Sequence, residues 1–171
     1  MQINIKTSGE NQAIVTQLTK KLTGGTKENV IARIALGYSL STGKRFTQQE
    51  FSAYDSQGKE YKDHILFDGQ YRDFYIALIC QAYGITKNDE LIPKYIKQHI
   101  DHGLEKINYL FENNPQYTFF DFLTEYFRKG IDMIEDTPER FDCVENRNQH
   151  ITKSVFSGPI KIKVGYNIVT R

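Results

Sequence analysis

Seven cationic side chains fall within the first 45 positions: Lys6, Lys20, Lys21, Lys27, Arg33, Lys44 and Arg45. Ammonium and guanidinium groups so placed can hold backbone phosphates without reading bases, by releasing counterions, and such binding weakens as salt rises. Lys20 and Lys21 close one expected helix, Lys27 opens the next, and Lys44 and Arg45 follow it, so the helix ends would gather them. The competing reading is a solvated face, with Lys20 and Lys21 doing no more than compensating a helix dipole. Ahead of them, Gln2, Asn4 and Lys6 form the polar face of an alternating segment, and amide and ammonium groups can read adenine and guanine edges.

Other groups argue less for chemistry. Gly37 to Arg45, GYSLSTGKR, has five residues between its glycines where a phosphate-binding loop needs four, and Arg45 where a metal-binding hydroxyl belongs. His99 and His102 flank Asp101 at i, i+3, but nothing completes a ligand set, so they read as a surface pair beside a packing position at Gly103. Cys80 and Cys143 are the two cysteines; both are expected to be free thiols, with Cys80 inert in an apolar helix. The carboxylates show no pairing for acid-base work. The expectation is a protein that is not an enzyme and needs no cofactor or metal.

Those cations sit on a chain of 171 residues, 39% hydrophobic and 13% aromatic, long enough for one self-sufficient core and too apolar for general disorder. The net charge of +1 conceals a segregation. Residues 1–62 carry an excess of +4, residues 63–129 of −3, residues 130–150 of −4 and residues 151–171 of +4. A basic amino-terminal segment in a nearly neutral protein can attract a polyanion locally. No stretch approaches the ~20 apolar residues of a membrane span, and the first ten residues lack a signal-peptide pattern, so the chain reads as cytoplasmic with no membrane partner.

The elements that must position the cations are mainly helical. Residues 2–6 alternate with period two, as a half-buried strand does, with Ile3 and Ile5 on one face. Ile14, Leu18 and Leu22 define a first helix opened at Ser8 or Gly9 and closed by Gly24-Gly25. Thr26 caps a second, with Val30, Ile31, Ile34, Ala35 and Tyr38 as its stripe and an end near Gly43. Residues 46–67 give little signal beyond a turn at Asp55-Ser56-Gln57-Gly58 and read as an ordered loop or irregular hairpin. Asp68 is expected to cap a third helix, carrying Tyr71, Phe74, Tyr75, Leu78 and Ile79 and stopped by Gly84. A fourth starts near Asp89 or Glu90, with Pro93 in its first turn and Ile92, Ile96, Ile100, Leu104, Ile107 and Phe111 as its stripe. Thr118 and Asp121 make a capping box for a fifth, ending at Gly130. Domain organisation follows: a helical DNA-binding domain over 1–130, an acidic connector over 131–150, and a basic β-forming tail over 151–171. The tail either docks a partner or begins a further domain.

The strand, helix, helix order at the start is that of a ribbon-helix-helix module, in which two chains pair their strands. Several segments together resemble the DndE family of DNA sulfur-modification proteins. They are the opening strand and first helix, Leu22 to Leu40 (LTGGTKENVIARIALGYSL), Asp55 to Tyr61 (DSQGKEY), Asp73 to Gln81 (DFYIALICQ), and Ile96 to Phe111 with its His-x-x-x-Gly pattern. The resemblance covers about residues 1–112, and the chain continues 60 residues past Phe111, where family members commonly end. It implies a helical, noncatalytic DNA-binding accessory protein that oligomerises, prefers nicked duplex, and works with the sulfurtransferase and ATPase components of phosphorothioation or linked defence. It implies a DNA-facing surface on Lys20, Lys21, Lys27 and Arg33, with Lys6 as a secondary member. The final GPIKIKVGYNIVTR looks faintly like a strand of HerA or FtsK type motors, so the alternatives are a DNA-recruiting or interaction domain of such a motor, or a ribbon-helix-helix repressor.

Overall fold

The computed structural model describes residues 2–23 and 27–135. The order is β1 (Asn4–Lys6), α1 (Gly9–Thr23), α2 (Glu28–Ser41), a 3-10 turn over Gln48–Ser52, β2 (Glu60–Lys62), the single-turn α3 (Asp63–Leu66), α4 (Arg72–Tyr83), α5 (Ile92–Asn113) and α6 (Phe119–Glu135). The chain is therefore mainly α with a short amino-terminal strand followed by a helix pair. Packing divides it into Met1–Glu125 and Tyr126–Arg171, and the described part of the second unit is the continuation of α6.

Alternation in β1 buries Ile3 and Ile5 and exposes Gln2, Asn4 and Lys6. The strand does not wait for a second chain, as a ribbon-helix-helix dimer would require. It pairs antiparallel with β2 of its own chain, in the register Asn4↔Lys62, Ile5↔Tyr61 and Lys6↔Glu60. Tyr61 thereby joins Ile3 and Ile5 in the core, and the opposed charges of Lys6 and Glu60 suit a cross-strand pair. Backbone bonds from Thr7 N to Lys59 O at 2.9 Å and from Gly58 N to Thr7 O at 2.8 Å prolong the ribbon. Only glycine permits that approach, since a Cβ on Gly58 would lie 2.1 Å from the Ser8 carbonyl oxygen. The stretch 46–67 thus supplies a non-local partner strand where a loop or local hairpin was expected.

Helix α5 is the axis of the core, burying Ile92, Ile96, Ile100, Leu104 and Ile107 along one stripe, as its spacing predicts. Helix α2 lies antiparallel against it, shown by two contacts four residues apart on each helix: Ser39 meets His99, and Ala35 meets Gly103. A Cβ on Gly103 would sit 2.0 Å from the Ala35 carbonyl oxygen, so the backbones nearly touch. This shifts the buried stripe of α2 to Ile31, Ala32, Ala35, Leu36 and Ser39 and leaves Val30, Ile34 and Tyr38 half-buried. Small side chains win the contact because close helix approach rewards them and excludes a tyrosine.

Asp101, on α5, is fully buried and pins the start of α1: it accepts from Ser8 N at 2.9 Å, Asn11 Nδ2 at 2.8 Å and Lys97 Nζ at 2.9 Å. Desolvation raises its pKa, against the pull of those three donors. Elsewhere the expected boundaries shift. Asp68 does not cap a helix; it adopts φ 52° beside Gly69 at φ 70°, and α4 starts only at Arg72. Helix α4 buries Ile76 and Ile79 and exposes Phe74, and Tyr71 just before it is exposed too, because a helix apolar on several faces does not declare which one turns inward. Helix α5 begins at Ile92, with Asp89 Oδ1 accepting from Leu91 N at 2.8 Å. Thr118 and Asp121 do form the reciprocal cap of α6, at 2.9 and 3.2 Å. That helix runs through Gly130 to Glu135, since one glycine costs a helix only about 1 kcal/mol. The Thr26 cap, the glycines before it, Cys143 and the β-forming tail lie outside the described residues.

Candidate nucleic-acid interface

Lys20 and Lys21 stand in the last turn of α1, both exposed. Helical spacing puts them on one face with Gln12, Ala13, Thr16 and Gln17, and this face lines an open depression of about 900 Å³. No carboxylate lines that depression, although Glu28 reaches Thr16 from α2 and Glu10 stands exposed in the first turn of α1. Lys21 also rests its ammonium 4.6 Å from the Phe111 ring centre, which fixes the stem while leaving the charge at the surface. Lys27 is exposed immediately before α2, whose first turn has no side-chain cap, so its free N–H groups add a partial positive charge.

Glu28 is the nearby acid, and it is occupied. It accepts from Thr16 Oγ1 at 3.1 Å and pairs with Lys59 Nζ at 2.7 Å. The residues before β2 thus bring one further cation, Lys59, to the α1–α2 connection. Sequence reasoning missed it because nothing in the aperiodic 46–67 stretch signals where its residues go.

The other expected cations are placed differently. Lys6 projects from the outer face of β1 opposite Glu60. Arg33 is half-buried: its Nη1 donates to Leu66 O at 2.7 Å and its guanidinium lies 5.0 Å from the Tyr71 ring, so it fastens the end of α3 to α2. Lys44 is paired with Glu50 at 2.7 Å, and that bond, with those from Thr47, lowers the Glu50 pKa to about 2. Arg45 is exposed beside it. Helix α2 separates these two from Lys27, and its 14 residues at roughly 1.5 Å each span about 21 Å. Lys20 and Lys21 close α1, Lys27 precedes α2 with Lys59 tied to its first residue, and Lys44 and Arg45 occupy the far end of α2.

The histidines are not the surface pair that their spacing suggested. His99 is fully buried and His102 half-buried, both against Ser39 Oγ, at 2.7 and 2.9 Å through their Nδ1 atoms. His99 Nε2 lies 2.8 Å from Tyr83 OH, which accepts from Phe46 N at 3.0 Å. One proton arrangement satisfies all five groups: Phe46 N–H to Tyr83, Tyr83 O–H to His99 Nε2, His99 Nδ1–H to Ser39, and Ser39 O–H to His102. This needs both imidazoles neutral, and burial accordingly pushes the His99 pKa down to about 4. With Ser39 wholly buried the network is a packing device, not a nucleophile open to substrate. Among the described residues no group of three or more His, Cys, Asp or Glu side chains could hold a metal ion. Nor is any helix there long and apolar enough to cross a membrane.

These features define a small helical protein, closed by an intrachain ribbon, whose first helix presents an exposed polar face ending in two lysines. The family model described as "DNA sulphur modification protein DndE" matches residues 4–114, and the chain belongs to the DndE family. Its role accordingly lies in DNA phosphorothioation. Among solved structures it is similar to the crystal structure of DndE from Escherichia coli B7A, described as involved in DNA phosphorothioation modification. That match has 15% identity and a TM-score of 0.48, over 61% of this chain and 96% of the other. Comparison with curated proteins finds no match.

Proposed function

We propose that this chain is a noncatalytic accessory protein that holds the backbone of DNA undergoing sulfur modification. Lys20, Lys21 and Lys27 contact phosphates, Lys59 stands beside them, and Lys6, Arg33, Lys44 and Arg45 are secondary. The observation that carries this is the exposed face of α1: a row of neutral polar or small side chains ending in two lysines that form no ion pair among the described residues. The Glu28 carboxylate that touches this face at Thr16 is neutralised by Lys59, so the two lysines at its end can meet a phosphate chain. Family membership supplies the DNA context, and the family likeness adds nicked duplex as the preferred form, self-association, and sulfurtransferase and ATPase components as partners.

The test is retention of intact and nicked duplex by the full chain over a range of salt. Changing Lys20, Lys21 and Lys27 to alanine should weaken retention and reduce the slope of log affinity against log salt by about 3, since each phosphate contact contributes about 0.9. Unchanged retention and slope would reject this surface. The pair Lys44→Ala with Arg45→Ala reports whether the duplex runs along α2.

A further inference from the structure

Helix α6 carries apolar side chains on two faces, and the core uses one of them. Phe122 is 2% exposed, and Phe119 packs beside it against the core. Phe120, Phe127 and Ile131 are instead 76, 63 and 55% exposed. At about 3.6 residues per turn these three share a stripe roughly 140° around the helix from Phe119 and Phe122. With Thr124 the stripe advances by four, three and four residues, which is the spacing of a coiled-coil seam. A whole aromatic side chain covers about 150–250 Å², so two phenylalanines and an isoleucine exposed to this extent leave roughly 300–400 Å² of apolar surface. A patch of that size marks an interaction site, and it supplies nearly half of the roughly 800 Å² per partner of a standard interface.

The pattern of the stripe fits a copy of itself. Run antiparallel, it sets Phe127 of each chain opposite Thr124 of the other and Phe120 opposite Ile131, so large side chains meet smaller ones as interdigitated packing requires. A parallel pair would set Phe127 against Phe127 and leave a gap between the two threonines. Charge selects the same direction. Asp121 and Arg128 flank the stripe on one side, seven residues apart and opposite in sign. The Thr118 N–H and hydroxyl, at 2.9 and 2.6 Å, hold the Asp121 pKa low, and Arg128 forms no ion pair among the described residues. Antiparallel pairing brings Arg128 of each chain to Asp121 of the other, once on either side of the two-fold axis. A parallel pair would set Arg128 beside Leu123, which offers it no counter-charge. Glu125 and Asp132 lie more than about 100° around the helix from the seam and do not enter it.

We propose that α6 pairs antiparallel with α6 of a second copy of this chain, joining two molecules through Phe120, Thr124, Phe127 and Ile131. Helix α6 begins at Phe119, past residue 114 where the family match ends, so this contact belongs to the extension particular to this chain. It goes beyond the duplex-holding reading and does not rest on it, because different elements build the two surfaces.

Sedimentation velocity of the full chain across the micromolar range tests it. A concentration-dependent doubling of mass is expected. Phe127→Glu, at an exposed position, should weaken the pairing by about tenfold or more while leaving the far-ultraviolet circular dichroism unchanged. Arg128→Glu and Asp121→Lys should each weaken it, since like charges then face each other on both sides of the axis. An equimolar mixture of those two variant chains should recover the pairing, because the mixed pair restores both contacts between opposite charges. In the Asp121→Lys chain the Thr118 hydroxyl still accepts from the backbone N–H of position 121, so the helix keeps part of its cap; the Phe127 and Arg128 variants serve if that chain fails to fold. A mass of one chain at every concentration, a doubling that Phe127→Glu leaves unchanged, or a mixture that pairs no better than its components overturns the proposal. Lys20→Ala with Lys21→Ala should leave the doubling intact, so the two readings fail separately.

Discussion

Gly103→Ala puts the contact between α2 and α5 under direct strain. The added methyl carbon would lie 2.0 Å from the Ala35 carbonyl oxygen, 2.5 Å from its carbon and 2.9 Å from its Cα, where ordinary contact begins near 3.4 Å. The obstacle is backbone, which cannot rotate aside, so the helices must separate by more than 1 Å along a seam that also holds Ser39 against His99. Overpacking of this kind costs about 1–3 kcal/mol, and a rigid obstacle puts it at the upper end. Alanine in a helix returns about 1 kcal/mol over glycine, which leaves a net loss of about 2 kcal/mol. For a chain of this length that is a fall in Tm of about 4–8 °C, read by far-ultraviolet circular dichroism. Gly130→Ala is the control: the new methyl meets nothing within 4 Å, so only the propensity gain remains and the Tm should hold or rise. A Gly103→Ala protein melting at or above the parent temperature would refute the close helix contact.

Asp101→Asn leaves Lys97 largely buried without its counter-charge, and denaturant unfolding should show a loss of about 3–5 kcal/mol. Lys59→Ala removes a partly exposed pair with Glu28 and should change stability by no more than about 1 kcal/mol in the same assay. For His99 the folded pKa of about 4 lies below the unfolded value of 6.5, so the unfolded state binds the extra proton. The stability it supplies is complete above pH 6.5 and drains away as pH falls toward 4, by about 3 kcal/mol in all. His102, lowered too, acts in the same direction, whereas the raised carboxyl of Asp101 opposes it at the acid end. Stability measured across this range should fall less steeply in His99→Gln than in the parent; equal slopes would refute the buried neutral imidazole. Phe122→Ala empties a site 2% exposed between Tyr38 and Phe111 and should cost about 3–5 kcal/mol on chemical unfolding.

Periodicity made the helices legible wherever one face was clearly apolar. The α5 stripe from Ile92 to Phe111 could be read from spacing alone, and the Thr118–Asp121 cap from two residue types. It failed where burial depends on a distant partner. Nothing in Glu60-Tyr61-Lys62 marks a strand, because one apolar residue makes no alternation and its partner lies more than fifty residues away. The stripe of α2 was misplaced because size, not hydrophobicity, decides a seam built on Gly103 and Ala35. His99 and His102 read as surface groups because the hydroxyl that satisfies them belongs to Ser39, on another helix. The basic character of the amino-terminal third was plain from composition, but not that Glu50 holds Lys44 or that Leu66 holds Arg33.

The reach of the family match has a physical counterpart. Residues 4–114 contain both strands of the ribbon, the α2–α5 seam and the Asp101 tie to the start of α1, so most of the non-local framework of the core lies inside it. The His-x-x-x-Gly pattern at His99 and Gly103 marks the two points where α5 grips α2, one by hydrogen bond and one by close backbone contact. Both are requirements of packing, which separates that pattern from the lysines of α1, where nothing in the core demands a charge. Helix α6 begins beyond the match yet seats Phe122 against Phe111 and Tyr38, capping a core that the earlier elements have already assembled. The packed scaffold and the lysine face of α1 are therefore distinct layers of one chain, and the core makes no demand for the charges at Lys20 and Lys21.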